Sequence, residues 1–199
     1  GIMQGEILAD LYAANPEKVD KNGDGKVATL EFEGEINNPE AIARTEYSLS
    51  TAIEKGVPCE MMTENQVANW DTAKAQEMMT AQIASLGVEN IEVVFCNNDD
   101  MALGAINALV NAGYNLPGGE GCTVIPVFGV DATEAAKELI ANKQMTGSIK
   151  QDAEGMADAV ATITANLIAG KDKFEGLNEN YEVVDGWTVN IPYSVYTGE

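Results

Sequence analysis

The densest cluster of metal-binding chemistry in the chain is the run Asp20-Lys21-Asn22-Gly23-Asp24-Gly25-Lys26-Val27-Ala28. Side-chain oxygens stand at its first, third and fifth positions, a turn glycine at the sixth, and the Lys26 carbonyl at the seventh. With that spacing a tight loop wraps one hard cation in oxygen. Calcium suits such an all-protein cage better than magnesium, which gives up its water reluctantly. Glu31 at position twelve completes the pattern D-x-[DN]-x-[DN]-G-x5-E, so an EF-hand module is one reading, and a merely hydrophilic turn is another. An EF-hand needs a helix leaving the loop, however, and residues 26–33 (KVATLEFE) alternate with the period of a strand. The closing carboxylate is therefore expected from elsewhere in the chain, with Glu31 as its rival.

Other chemistry is sparse. The sequence contains no histidine, which removes His-based general bases, Ser-His-Asp and Cys-His nucleophiles and most zinc sites. Cys59, Cys96 and Cys122 lie far apart with no C-x-x-C, so neither a thiolate metal site nor a disulfide framework is encoded. A net charge of −21 over 199 residues repels polyphosphate and anionic lipid, which argues against nucleic acid or a membrane surface as partner. Nothing pairs a nucleophile with a base, and no enzyme is expected.

The elements that must carry these residues alternate. Strand-like runs at 26–33, 59–63, 91–96, 124–130 and 146–150 are separated by helix-period stretches with clean stop and start signals. Asn38-Pro39 opens the first helix, on which Ile42, Leu49 and Ile53 mark the expected buried face, and Gly56 closes it. Asp71 caps the next, with Ala75, Met78, Met79, Ile83 and Leu86 inward, and Asp99 is the expected cap of the third. Helices follow at about 133–142 and 152–169, and residues 181–196 read as one or two strands. Five alternations of strand and helix predict an α/β fold with a doubly wound parallel sheet. Since the chain opens inside an apolar-periodic segment, an excised piece of a longer protein is expected.

The sequence resembles the periplasmic galactose/glucose-binding proteins of ABC sugar transporters. The resemblance is carried by Gln4-Gly5-Glu6-Ile7-Leu8, the loop at 20–26, Pro39-Glu40-Ala41-Ile42-Ala43-Arg44-Thr45, Trp70-Asp71-Thr72-Ala73, Ile91-Glu92-Val93-Val94, Asn97-Asn98-Asp99 and Pro126–Ala132, in family order across nearly the whole chain. It implies the second lobe of a two-lobed type I periplasmic-binding-protein fold. Residues 1–150 would be that lobe, 151–191 a crossover segment belonging to the first lobe, and 192–199 a return segment.

The resemblance implies a calcium shell of Asp20, Asn22, Asp24, the Lys26 carbonyl and Glu92, with Ala28 where the family uses glutamine. It implies a hexose held by Arg44, Trp70, Asn98 and Asp131, with Asn38, Glu40 and Gln151 where the family has histidine, aspartate and asparagine. The chemistry suits a sugar: carboxylate, guanidinium and amide forks bind paired hydroxyls, and an indole offers a flat apolar face to the ring.

Each residue also has an ordinary structural reading: Asn98 as a helix cap, Arg44 as a helix-surface arginine, Trp70 as a core aromatic. The expected partners are a monosaccharide and a membrane permease, in a periplasmic or extracellular protein, free or lipid-anchored. The helix at 152–169 carries Met156, Ala159, Val160, Ile163 and Leu167 on one stripe. Without the first lobe, that stripe is expected to pair with a second copy or fold back. The effector domain of a LacI-type repressor is the alternative that shares this fold.

Overall fold

The computed structural model describes residues 1–198. Its elements are α1 (Ile2–Ala14), β1 (Val27–Glu33), α2 (Pro39–Glu54), β2 (Cys59–Met61), β3 (Gln66–Val67), α3 (Thr72–Leu86), β4 (Val93–Cys96), α4 (Asp99–Asn111), β5 (Val127–Val130), α5 (Glu134–Ala141), β6 (Gly147–Lys150), α6 (Ala153–Ile168), β7 (Glu182–Val184), β8 (Thr188–Asn190) and β9 (Ser194–Tyr196). The main sheet runs β2-β1-β4-β5-β6-β9, with β3 also on β1. Strands β1 to β6 pair in parallel. The expected strand-and-helix alternation is present, and the tail adds a β7–β8 hairpin.

Side-chain alternation along the central strands divides the core into two layers. Val93, Phe95 and Phe128 join Leu8 of α1 and Ala52 of α2 on one face. Val94, Cys96, Leu30 and Phe32 join Met79 of α3 and Met101, Ala105 and Leu109 of α4 on the other. Covered on both sides, β4 is buried at every position, which is why its sequence is almost continuously apolar.

Helix α2 corrects the sequence reading of its buried face. Ile42 and Ile53 are about half exposed, and the buried residues are Ala41, Ser48, Thr51 and Ala52. The cause lies in α1. Gly5 approaches so closely that an added Cβ would stand 2.6 Å from the Ser48 carbonyl oxygen. Two helices this close bury small side chains and turn the large ones outward.

The chain divides into two compact units, Gly1–Ile149 with Val195–Glu199, and Lys150–Ser194. The first holds the parallel sheet. In the second, α6 buries Gly155, Ala159 and Asn166 and leaves Met156, Val160 and Leu167 exposed. Among the described residues no helix is long and apolar enough to cross a membrane.

Candidate functional site

Strand β1 leads into α2 and β4 into α4, helices that cover opposite faces of the sheet, so the carboxyl ends of these two neighbouring strands flank a topological switch point, where open α/β sheets bind ligands. The chain leaving β4 is Asn97-Asn98-Asp99. Asn97 is fully buried, and its Oδ1 accepts the Gly34 N–H at 3.1 Å, tying the end of β1 to the end of β4. Thr45 of α2 is bonded to the same amide, at 3.0 Å from its Nδ2.

Arg44 Nη1 donates to the Asn97 carbonyl at 2.8 Å, and its guanidinium lies 5.7 Å from the Trp70 ring centroid. Trp70 is held by an unusual backbone: Asn69 and Trp70 both have positive φ, at 53° and 63°. Its indole packs against Gly34, where an added Cβ would fall 2.3 Å from the ring. Asn98 Nδ2 donates to the Trp70 carbonyl at a long 3.5 Å, while Asn98 Oδ1 caps α4 by accepting the Met101 N–H at 3.0 Å. Arg44, Trp70 and Asn98 thus form one continuous chain of contacts at the carboxyl rim.

Asp131 stands one strand further along the same rim, just past β5, in a turn with φ of 119° at Asp131 and 51° at Ala132. Asn38 caps α2, accepting the Glu40 N–H at 2.9 Å, and Glu40 itself is exposed. Asn37, Asn38 and Asn69 line a concavity of about 500 Å³ beside this corner. Gln151 belongs to the second unit, where its Oε1 accepts the Tyr193 hydroxyl at 3.2 Å.

Asp99 is not the cap of α4; Asn98 is. The Asp99 carboxylate is instead 2 % exposed and takes the Ser148 hydroxyl at 2.6 Å and the Thr133 N–H at 2.7 Å. Burial raises its pKa from an ordinary 3.8 to about 6, against the lowering effect of those hydrogen bonds. In the sequence Asp99 reads only as a helix cap and Asn97 only as part of an Asn-Asn-Asp run.

At the opposite, amino end of the sheet lies the oxygen-rich loop. It leads into β1 rather than a helix, which overturns the EF-hand reading. Glu31 points away from it: the carboxylate is buried and meets the Ser48 hydroxyl of α2 at 3.2 and 3.3 Å, so it is no ligand of the loop. Glu92, 1 % exposed, faces the loop instead. Its Oε1 accepts the N–H of Lys21 at 2.7 Å and of Asn22 at 3.2 Å, and its Oε2 the N–H of Ala28 at 2.9 Å.

Asp20, Asn22 and Asp24 accept loop N–H groups of Gly23, Gly25, Asp24 and Lys26. Ala28, Asp24, Lys26 and Glu92 line a pocket of about 280 Å³. Lys21 Nζ donates to the Glu92 carbonyl at 3.3 Å, and burial lowers its pKa to about 8. Among the described residues no three His, Cys, Asp or Glu side chains converge tightly enough to form a metal cluster. The donors are nonetheless all oxygen, the set that suits a hard cation.

A parallel sheet with a polar, aromatic rim beyond its carboxyl ends has the architecture at which open α/β sheets place ligands. The chain belongs to the periplasmic binding protein domain family, which it matches over residues 1–172. It is 35% identical over 193 residues to the D-galactose/methyl-galactoside binding periplasmic protein MglB of Haemophilus influenzae, covering 97% of this chain and 54% of that protein. The D-allose-binding periplasmic protein of Escherichia coli is 30% identical over 136 residues, 67% of this chain and 40% of that one.

Among solved structures, an ABC transporter solute-binding protein from Bacillus halodurans with bound myo-inositol matches with a TM-score of 0.71 at 26% identity, over 100% of this chain and 58% of that one. One from Actinobacillus succinogenes with bound D-allose gives the same TM-score at 21% identity, covering 98% and 58%. The chain spans about half the length of the curated relatives it matches. The family and these relatives are solute-binding proteins, not enzymes.

Proposed function

We propose that this chain is the second lobe of the sugar-binding component of an ABC transporter. It would receive a hexose of the galactose or glucose type at its carboxyl rim and present it to a membrane permease. The observation that carries this reading is the joined chain of Arg44, Trp70 and Asn98 at the switch point, with Asp131 on the neighbouring strand end. These groups supply donors, acceptors and one apolar ring face, as a polyhydroxylated ring requires. The relatives' names point the same way, toward sugars and in one case galactose.

In this assignment the unit Lys150–Ser194 is the portion associated with the first lobe, and Gln151 contributes to the site only once both lobes are assembled. The exposed Met156, Val160 and Leu167 of α6 would be covered by that lobe or, in its absence, by a second copy of the chain. Such a protein works outside the cytoplasmic membrane, in the periplasm or at the cell surface. Asn38, Glu40 and Gln151 each replace a side chain of different reach in the resembling family, so the choice among hexoses rests with them. Calorimetric titration of the full-length protein with a monosaccharide panel is the test: a saturating response to at least one hexose is expected, and none to any hexose would reject the assignment.

We also propose that loop 20–26 and Glu92 hold a structural calcium ion. Support comes from the all-oxygen donor set and from Glu92, whose buried carboxylate already faces the loop. A cation bound only by the native state raises stability by about 2.7 kcal/mol at a hundredfold excess over its dissociation constant. Chelation should lower the melting temperature and added calcium restore it; an unchanged melting curve would reject the ion.

A further inference from the structure

The turn that carries Asp131 is conformationally costly. Asp131 and Ala132 are consecutive non-glycine residues at positive φ, and such backbone persists only where its surroundings over-determine it. Three hydrogen bonds, from β6 and α4, do so here. The Asp131 N–H is bonded to the Ile149 carbonyl of β6 at 2.8 Å. The Ala132 N–H donates to the Ser148 hydroxyl oxygen at 3.0 Å, and that hydroxyl in turn donates to Asp99 Oδ1 at 2.6 Å. The Thr133 N–H donates to Asp99 Oδ2 at 2.7 Å. One carboxylate at the start of α4 therefore fixes two successive amides of the turn, one directly and one through Ser148.

Room has been made for this carboxylate. Gly129 lies directly against it: a Cβ there would fall 2.3 Å from Asp99 Oδ1 and 2.7 Å from the Met145 methyl. Burial favours the neutral acid, and the nearby Asp131 charge favours it further. A carboxyl group kept in a site that opposes its ionisation is not there for packing alone, since an apolar side chain would fill the space with less opposition. What it supplies is a pair of acceptors aimed at a strained turn.

Resting on the hexose reading above, we propose that Asp99 and Ser148 are positioning residues for the ligand: they hold the 131–133 turn so that Asp131 meets the sugar in a fixed geometry. A binding constellation must be held within about 0.5 Å of its productive geometry, so a loosened turn should be felt in affinity.

The test uses two readouts. The first is amide hydrogen exchange in this chain, compared among the wild type, Asp99→Ala, Asp99→Asn and Ser148→Ala. Exchange at Ala132 and Thr133 should quicken by about tenfold or more in Asp99→Ala, while the β5 amides keep their protection. Asp99→Asn, which retains one acceptor, should recover part of the Thr133 protection. The second is hexose affinity of the full-length protein: Asp99→Ala should bind about 10- to 100-fold more weakly, and Asp99→Asn within a few-fold of wild type.

Unchanged exchange in Asp99→Ala would overturn the hold on the turn. Faster exchange with affinity unaltered would overturn the positioning role. A wild type that binds no hexose, with the turn still loosened in Asp99→Ala, would reject the hexose reading and leave the hold standing. Should Asp99→Ala fail to fold, Asp99→Asn and Ser148→Ala decide on the same readouts.

Discussion

The two ends of the parallel sheet use the same device for different purposes. At the amino end, buried Glu92 accepts three backbone N–H groups from the loop at 20–28. At the carboxyl end, buried Asp99 accepts one backbone N–H and one hydroxyl and thereby organises the turn at 131–133. In both cases a carboxylate removed from water is compensated by donors from neighbouring segments, a loop at the amino end and a turn together with β6 at the carboxyl end, so these segments are fixed together. The loops differ. That at 20–28 contains Gly23 and Gly25 at positive φ, so it bends without strain around its oxygen atoms. The turn at 131–133 forces two side-chain-bearing residues into positive φ, and it carries a residue assigned to the ligand. The relaxed end suits an anchor; the strained end suits recognition, where geometry must be fixed before the ligand arrives.

Substitutions can break or sharpen this contrast. The largest effect on binding should come from Asp131→Ala, which removes the carboxylate proposed to accept paired hydroxyls. A loss of more than about a hundredfold in hexose affinity is expected, with calcium-dependent melting unchanged. At the other end, Glu92→Ala leaves three loop N–H groups without their acceptor and should cost about 2–3 kcal/mol by denaturant unfolding. The same variant should abolish any melting shift on chelation; a persisting shift would place the cation elsewhere.

Gly34→Ala drives a Cβ into the Trp70 ring and should cost about 1–3 kcal/mol while weakening hexose binding. If stability falls with affinity intact, Trp70 serves only the core.

The smallest effect concerns a third buried carboxylate. Burial holds the Glu31 pKa well above its ordinary 4.5, against the lowering effect of the Ser48 hydroxyl. A raised folded-state value means that the native protein holds this proton more tightly than the unfolded chain. Stability from Glu31 is therefore present at acid pH and declines as pH rises above the unfolded value of 4.5. Glu31→Gln removes that decline. It should be more stable than wild type at neutral pH, with the difference closing toward pH 4. A variant equally destabilised at both pH values would show that Glu31 acts through packing instead.

Most of the fold was legible because its signals are local. Asn38-Pro39 and Asp71 mark helix starts that the structure confirms through side-chain caps, Gly56 and Gly87 mark ends, and the apolar run of β4 announces a strand covered on both faces. Strand against helix after the loop was also readable, since the alternation in residues 26–33 outweighs a pattern satisfied by Glu31. What escaped is long-range. The buried face of α2 is set by Gly5, more than 30 residues away in sequence, so its own apolar stripe misleads.

The site divides in the same way. Arg44, Trp70, Asn98 and Asp131 came from the family resemblance, and their residue types and positions after strands agree with it. The groups behind them, Asn97, Ser148 and Gly34, are ordinary in type and gain their role only through hydrogen bonds or contacts spanning 16 to 63 residues, or through steric clearance. Asp99 looked like a cap because an N-cap and a first-turn aspartate have the same sequence signature; only the direction of its carboxylate separates them.

The central claim is that one hexose is met at the carboxyl rim by Trp70, Asn98 and the Asp131 turn together. It is tested most directly by nuclear magnetic resonance of the full-length protein during hexose addition. The Trp70 indole N–H, the Asn98 side-chain amide and the Ala132 and Thr133 backbone amides should shift along a single binding curve, while the Gly23 and Gly25 amides stay in place. A saturating hexose that leaves the rim signals unmoved would contradict the account.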